Sequence, residues 1–306
     1  MKILVTGGAG FIGSHIVDAL IDQGHDVCIV DNLSTGDQLN VNPKAKLHIC
    51  DINGSELINI FETEKPEMVF HVAAQIDVRK SVADPAADAK ENIIGSINVL
   101  ECCKKVGVRK IIFSSTGGAI YGEADVLPTP ETYSEKPISP YGIAKLAVEK
   151  YLHYYQVVHG LSYVVLRYAN VYGPRQNNKG EAGVVAIFCT KILNGVSPVI
   201  NGDGEQTRDY VCVFDVVSAN ILALNKDVLG IYNIGTGKES SVNQLAREIK
   251  TALGSEMDFS HGEAKVGEQQ RSCLDNSKAK KELAWEPKFN LQQGIKETAN
   301  WFSSSI

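Results

Sequence analysis

The chain has 306 residues, 44% of them hydrophobic, and a formal net charge of −6. This is globular composition, enough for one elaborated domain or two, and it excludes a disordered chain. The acidic balance argues against nucleic acid or an anionic membrane as the main partner, while leaving room for an anionic ligand held by local Arg and Lys.

The first apolar run, Ile3, Leu4 and Val5, has the pattern of a strand buried on both faces. Thr6, Gly7, Gly8, Ala9, Gly10, Phe11, Ile12 and Gly13 follow directly, and an apolar helical pattern then continues to Ile21. Strand, glycine turn and helix together make a cradle for a pyrophosphate, whose charge a helix N-terminus favours. The glycines fit GxGxxG as Gly8, Gly10, Gly13 and GxxGxxG as Gly7, Gly10, Gly13. Either spacing alone also describes a tight turn with no ligand. The second strand, 27–30, ends in Asp31, at the offset where a carboxylate grips an adenosine ribose and repels a 2′-phosphate. The expected cofactor is therefore NAD.

Further strands are expected over 45–50, 68–72, 110–114 and 162–168, with helices over 56–64, 85–106 and 140–159. Ser139 and Pro140 stand as N-cap and first residue of the last helix. Alternating strands and helices demand a parallel, doubly wound α/β sheet with ligands at the carboxyl ends of its strands. After Tyr172 the rhythm breaks: a polar loop over 173–183, a helix over 184–193 and a turn-rich loop over 201–208. A strand over 209–213, a helix over 214–224 and a strand over 231–234 follow, then helices near 242–253, 277–283 and 291–302 around a polar loop at 261–271. Residues 1–172 are expected to form a Rossmann domain to which 209–235 return, and 173–306 a smaller, interleaved substrate-binding part.

The strand ends should hold the functional residues. Asp51 and Ile52 could hold an adenine, and the small Ala73 and Ala74, with Gln75, would let a flat cofactor approach the backbone. Ser114, Ser115 and Thr116 carry three hydroxyls ahead of Gly117 and Gly118; alone, such a run reads as capping and turn chemistry. Tyr141 and Lys145 change that reading. They lie four apart on one helix face, and an ammonium beside a phenol favours the phenolate that a general base needs. A hydroxyl from Ser115 or Thr116 could bond the same substrate oxygen. Six of the histidines (15, 48, 71, 153, 159 and 261) show no metal-ligand spacing, so no metal is expected. Seven cysteines without a CxxC pair suit a reducing cytoplasm. The strand pattern at the start leaves no room for a signal peptide, and no 18-residue apolar run exists.

The segments TGGAGFIGSH (6–15), DNLSTG (31–36), HVAAQ (71–75), SSTGGAIYG (114–122), SPYGIAK (139–145), RYANVYGPRQ (167–176) and GDGEQTRDYV (202–211) resemble the extended short-chain dehydrogenase/reductase family over essentially the whole chain. Within it they are most similar to the UDP-sugar 4-epimerases. The resemblance implies Tyr141 as base and acid, Lys145 as its electrostatic partner and a ribose ligand, and Thr116 as the catalytic hydroxyl. It places Asn32, Ser34, Gly36, Asn92, Ser114 and Tyr168 about the cofactor. For the nucleotide sugar it implies Asn170, the backbone near Val184 and Val185, and Arg208 on a phosphate. Lys265-Val266-Gly267-Glu268 stands where the family usually has Arg-Pro-Gly-Asp/Glu; Lys265 supplies charge without a bidentate fork, and Arg271 could compensate. Gly117 stands where the family's sugar 4,6-dehydratases carry an acid, which favours epimerisation over dehydration. Ser272 falls at the family's size gate, where a small side chain leaves volume for an N-acetyl group. A homodimer through the helices near 86–106 and 140–159 is also implied. The alternatives are another nucleotide-sugar enzyme of the family (dehydratase, decarboxylase or UDP-glucuronate epimerase) and a non-catalytic NAD sensor.

Overall fold

The computed structural model describes residues 1–177, 183–264 and 269–305. Six strands follow the expected rhythm: β1 (Lys2–Thr6), β2 (Asp26–Asp31), β3 (Lys46–Ile49), β4 (Met68–His71), β5 (Lys110–Thr116) and β6 (Ser162–Tyr168). With Gly230–Ile234 they form one seven-stranded sheet in the order Gly230–Ile234, β6, β5, β4, β1, β2, β3. Every pairing is parallel. The order reverses between β1 and β4, so the crevice for a ligand opens above their carboxyl ends.

Alternation along the strands divides the interior between the two sheet faces. Ile3, Val5, Ile29, Phe70, Ile112 and Leu166 face Ile16, Leu20 and Val216, from the helices Phe11–Asp22 and Val213–Asn225. Leu4, Val30, Val69, Ile111, Phe113 and Val165 face Phe61, Val99, Val148 and Leu152, from Leu57–Glu64, Gly95–Val106 and Pro140–His159. Each such side chain contributes about 1.5–3 kcal/mol on leaving water. A third core lies beyond the sheet, where Tyr172, Phe188, Tyr210, Leu245, Ile295 and Phe302 pack between Val184–Leu193, Val242–Ala252 and Leu291–Ser305.

Several elements differ from the sequence expectation. The helix expected over 85–106 is interrupted by a wide, π-type turn at Lys90–Ile94, which buries Asn92. A short helix, Val78–Ala83, capped by Asp77, precedes it without an apolar period long enough to announce it. The strand expected over 209–213 shortens to Tyr210–Cys212 and pairs with Asn170–Tyr172 outside the main sheet. The loops expected near 201–208 and 261–271 contain short strands, Val199–Asn201 against Ser260–Gly262 and Thr207–Arg208 against Ser240–Ser241. Pairs of two or three residues carry no readable period.

Candidate active site

The glycine cradle uses the Gly7, Gly10, Gly13 spacing. Gly7 takes a left-handed φ of +71°, reversing the chain at the end of β1. Gly13 lies so close to that turn that a Cβ would stand 2.1 Å from the Gly7 carbonyl oxygen. The helix begins at Phe11 with Gly10 as N-cap, and Gly10 places no side-chain acceptor over the N–H groups of the first turn. A phosphate is the natural partner for such an end.

Asp31, buried at the end of β2, accepts from Ala9 N at 3.0 Å and Leu33 N at 2.8 Å, so its carboxylate is held at the edge of the cradle. Gly36 leaves it room, since a Cβ there would stand 2.9 Å from Asp31 Oδ1. Exposed Asn32 donates to Asp51 Oδ2, and its own Oδ1 accepts from Ser34 N. Burial works against the Asp51 carboxylate, but hydrogen bonds from Asn53 and Asn32 outweigh it and hold its pKa below the usual range. Ile52 is buried beside it.

Beyond β4, half-buried Ala73 and Ala74 border the crevice. Asn92 clamps this loop: its Oδ1 accepts from Gln75 N and its Nδ2 donates to Gln75 O, both at 2.9 Å. The π-type turn is what aims Asn92 inward. Two residues that the sequence left without a role complete the floor. Asp88, one turn before Asn92, accepts from Asn92 Nδ2 and Gln75 Nε2 through Oδ1, and burial raises its pKa. His71 is fully enclosed between Thr6 Oγ1 at 2.7 Å and Ser96 Oγ at 2.8 Å, and Ser96 donates onward to Asn92 O. Burial, with the charge of Lys145, pushes the His71 pKa down to about 3, so the ring is neutral and passes hydrogen bonds without carrying charge.

On the other side of the crevice, Ser139 Oγ accepts from Gly142 N at 3.1 Å and starts the helix that carries Tyr141 and Lys145. Its first turn lies on the 117–120 turn, so close that a Cβ on Gly142 would stand 2.5 Å from the Ala119 carbonyl oxygen. This contact brings Tyr141 to the end of β5. Lys145 is buried; its Nζ donates to Ser114 O at 2.9 Å and sits 4.7 Å from the Phe113 ring centroid and 6.0 Å from that of Tyr141. Burial lowers its pKa to about 8, against the pull of Asp88 and Glu149. Thr116 Oγ1 accepts from Ala119 N at 3.2 Å, which leaves its O–H to donate elsewhere.

The three hydroxyls of β5 do not act together. Strand alternation points Ser114 and Thr116 to one side and Ser115 to the other. Ser114 Oγ pairs with Tyr168 Oη at 3.1 Å, and Asn220 donates to the same Tyr168 oxygen, so Tyr168 reaches into the core below the crevice. Burial pushes the Tyr168 pKa up to about 12. Ser115 donates to Glu149 Oε1 at 2.6 Å, and Glu149 also receives Arg167 Nε at 3.0 and 3.2 Å. The substrate role expected of Ser115 is therefore corrected: its hydroxyl is committed to a buried ion pair. Glu149 continues the helix face of Tyr141 and Lys145 by one more turn, a signal available in the spacing.

Among the residues expected to hold the sugar, Asn170 is exposed and faces the turn after Thr116, with its Oδ1 3.8 Å from where a Gly118 Cβ would stand. Arg208 Nη1 donates to Thr207 O at 2.8 Å. Ser272 is buried, its N–H donating to Thr207 O at 3.2 Å. Val184 and Val185 open their helix behind Gly183, an N-cap without a side-chain acceptor. Arg271 is paired in a fork with Glu239. Gly117 is covered by Leu274: a Cβ there would stand 2.5 Å from Leu274 Cδ1, so no acid fits beside Thr116 without moving it. Lys265 and Glu268 lie outside the described residues. No three His, Cys, Asp or Glu side chains among the described residues are grouped to hold a metal.

A parallel sheet in this order, a glycine cradle at its first strand and a Tyr–Lys helix against the fifth define a protein that binds a nicotinamide dinucleotide. The residues fit that group, with helix N–H groups for the diphosphate and a carboxylate for the ribose. The chain belongs to the NAD dependent epimerase/dehydratase family, whose model matches residues 3–235. It is similar to the UDP-glucose 4-epimerase of Thermotoga maritima solved with UDP-glucose: 53% identical, TM-score 0.98, covering 100% of this chain and 99% of that one. The Thermus thermophilus UDP-glucose 4-epimerase in complex with NAD is 41% identical, with TM-score 0.95 and both chains covered in full. The Methanobrevibacter ruminantium UDP-N-acetylglucosamine 4-epimerase, solved with UDP-N-acetylmuramic acid, is 38% identical, with TM-score 0.95, covering 100% of this chain and 99% of that one.

Proposed function

We propose that the chain catalyses NAD-dependent 4-epimerisation of a UDP-hexose, UDP-glucose/UDP-galactose with the N-acetyl forms also admitted. The observation that carries this reading is the gathering of Thr116, Tyr141 and Lys145 at the end of β5, beside a dinucleotide cradle and in reach of Asn170. Residues 1–172 with 209–235 hold the cofactor, and the rest of 173–306 holds the nucleotide sugar.

Bound NAD supplies the acceptor, and then the donor, of a hydride. Tyr141 takes the C4 hydroxyl proton, and Thr116 donates to the same oxygen through the O–H that its bond from Ala119 leaves available. Lys145 lies behind the phenol and stabilises it as phenolate, anchored by the Ser114 carbonyl. The diphosphate stays with Arg208 and the N-terminus of Val184–Leu193 while the 4-keto sugar turns over and presents the other face of C4 to the returning hydride; Tyr141 then gives the proton back to the C4 oxygen. Gly117 under Leu274 leaves no acid for loss of water, which disfavours the dehydratase reading. A sensor would need no proton-transfer group, which disfavours a non-catalytic protein.

Ile143, Tyr151, Tyr154 and Val158 stay exposed along one side of Pro140–His159, a helix that packs against the Lys90–Ile94 turn, where Ile94 is exposed as well. A stripe of this kind fits a second copy of the chain, which supports a homodimer. Seven free, buried cysteines suit the cytoplasm, and no helix among the described residues is long and apolar enough to cross a membrane. The test is incubation of the purified protein with a panel of UDP-sugars, with products read by NMR. C4 inversion of a UDP-hexose without net NADH is expected, and an unchanged panel refutes the reading.

A further inference from the structure

Asp209 follows Arg208 directly and is fully buried, yet no step above uses it. Its carboxylate gathers donors from segments far apart in the chain. Oδ1 accepts from Thr236 N at 2.8 Å and from Thr236 Oγ1 at 2.6 Å. Oδ2 accepts from Gly237 N at 3.1 Å and Leu274 N at 3.3 Å. Its own carbonyl accepts from Asn170 N at 2.9 Å. The packing is tight, since a Cβ on Gly235 would stand 2.4 Å from Oδ2. Burying a carboxylate is costly unless its lone pairs are filled, and here both oxygens are filled by N–H and O–H groups.

The residues so gathered border the sugar side of the crevice. Asn170 and Arg208 hang on the Asp209 backbone, and Leu274, which covers Gly117 beside Thr116, hangs on its side chain. Ser272 lies two residues before Leu274, on a segment that runs between Thr207 and Thr129 through Ser272 N to Thr207 O and Thr129 N to Cys273 O. Hydrogen bonds to charged acceptors are stronger and more directional than neutral ones, which suits a group that must fix several loops at once.

We propose that Asp209 is a positioning residue for the nucleotide-sugar half of the site, its buried carboxylate drawing the 236–237 turn and the 273–274 segment onto the strand that carries Arg208. This rests on the proposed UDP-sugar substrate. Asp209 touches neither sugar nor dinucleotide; it sets where Arg208, Ser272 and Leu274 stand, so its loss should weaken nucleotide binding and leave the NAD cradle unchanged. Asparagine has the same shape but offers one acceptor oxygen, and its NH2 would oppose either the Thr236 donors or those of Gly237 and Leu274.

The test uses the NAD-loaded protein and UDP itself as probe, by titration calorimetry, with bound NAD and melting temperature measured on the same samples. Asp209→Asn is expected to raise the UDP Kd and the UDP-hexose KM about tenfold, with bound NAD unchanged and kcat within about threefold. Thr236→Val removes one donor to Asp209 and leaves the backbone bonds, so a smaller rise, about two- to fivefold, is expected. A UDP Kd in both variants equal to that of the unmodified protein, with NAD bound, overturns the proposal. So does a loss of bound NAD in step with UDP affinity, since the effect would then be general. If Asp209→Asn fails to fold, Thr236→Val decides alone, and an unchanged UDP Kd refutes the positioning role. Failure of the unmodified protein to bind UDP overturns the substrate reading and this proposal with it, an outcome distinct from normal binding that the variants leave unaltered.

Discussion

Gly13→Ala tests whether the cradle is a ligand site or only a tight turn. A Cβ at residue 13 would stand 2.1 Å from Gly7 O, 2.8 Å from Gly7 C and 3.0 Å from Gly8 Cα, all backbone atoms that cannot rotate away. Carbon and carbonyl oxygen settle no closer than about 3.3 Å, so the turn and the helix must separate by roughly 1 Å. Overpacking of this kind costs about 1–3 kcal/mol, offset by about 1 kcal/mol because alanine is the better helix former. The fold therefore survives with a melting temperature lower by a few degrees. A shift of about 1 Å in a site built to hold a diphosphate is far more damaging, on the order of 10²-fold where geometry is critical. Purified Gly13→Ala should carry at most about a tenth of the NAD released by the unmodified protein on denaturation. A variant that retains its full NAD while its helix content is unchanged would show that the cradle does not set dinucleotide binding.

Tyr141→Phe keeps the ring and removes the proton-transfer group, so turnover should fall by about 10²-fold or more with NAD still bound; near-normal turnover would rule out the phenol as base. Asp31→Ala should weaken NAD binding and narrow its preference over NADP, by calorimetry, and tighter NADP binding by the unmodified protein would remove the ribose assignment. Lys145 holds its proton below about 8 and loses it above, so kcat/KM should decline as pH rises through that value, and a rate flat to high pH would contradict the electrostatic role. The linkage has the opposite sign for stability: an unfolded lysine stays protonated up to its usual 10.5, so between about 8 and 10.5 the unfolded chain binds more protons and this contribution to stability rises with pH. Ser272→Tyr should remove activity on UDP-N-acetylhexoses selectively, because Ser272 is buried and a phenol there adds bulk; an unchanged ratio of kcat/KM for the two sugar classes means that another residue sets pocket size.

The sheet and its cofactor end were legible in the chain because they rest on local rules. Buried parallel strands read as apolar runs, a glycine triplet before a helix reads as a turn, and an acid at the end of the next strand falls at a set distance. Tyr141 and Lys145 share a face because a helix places residues four apart above one another. The family resemblance added roles that spacing could not assign.

The tertiary structure decided what depends on contacts between distant residues. Three consecutive hydroxyls look alike in sequence, yet strand alternation sends Ser115 to Glu149 and Arg167 and leaves Thr116 at the crevice. Asn92 reaches the Gln75 backbone only because the helix widens at Lys90–Ile94, a change of hydrogen-bond pitch that no periodicity announces. His71 and Asp88 look unremarkable in the chain and acquire a place only when Thr6, Ser96 and Gln75 close around them. Asp209 shows the limit most plainly. Its donors lie 27, 28 and 65 residues further along, so its role exists only once folding has removed those segments from water and left one carboxylate to satisfy them.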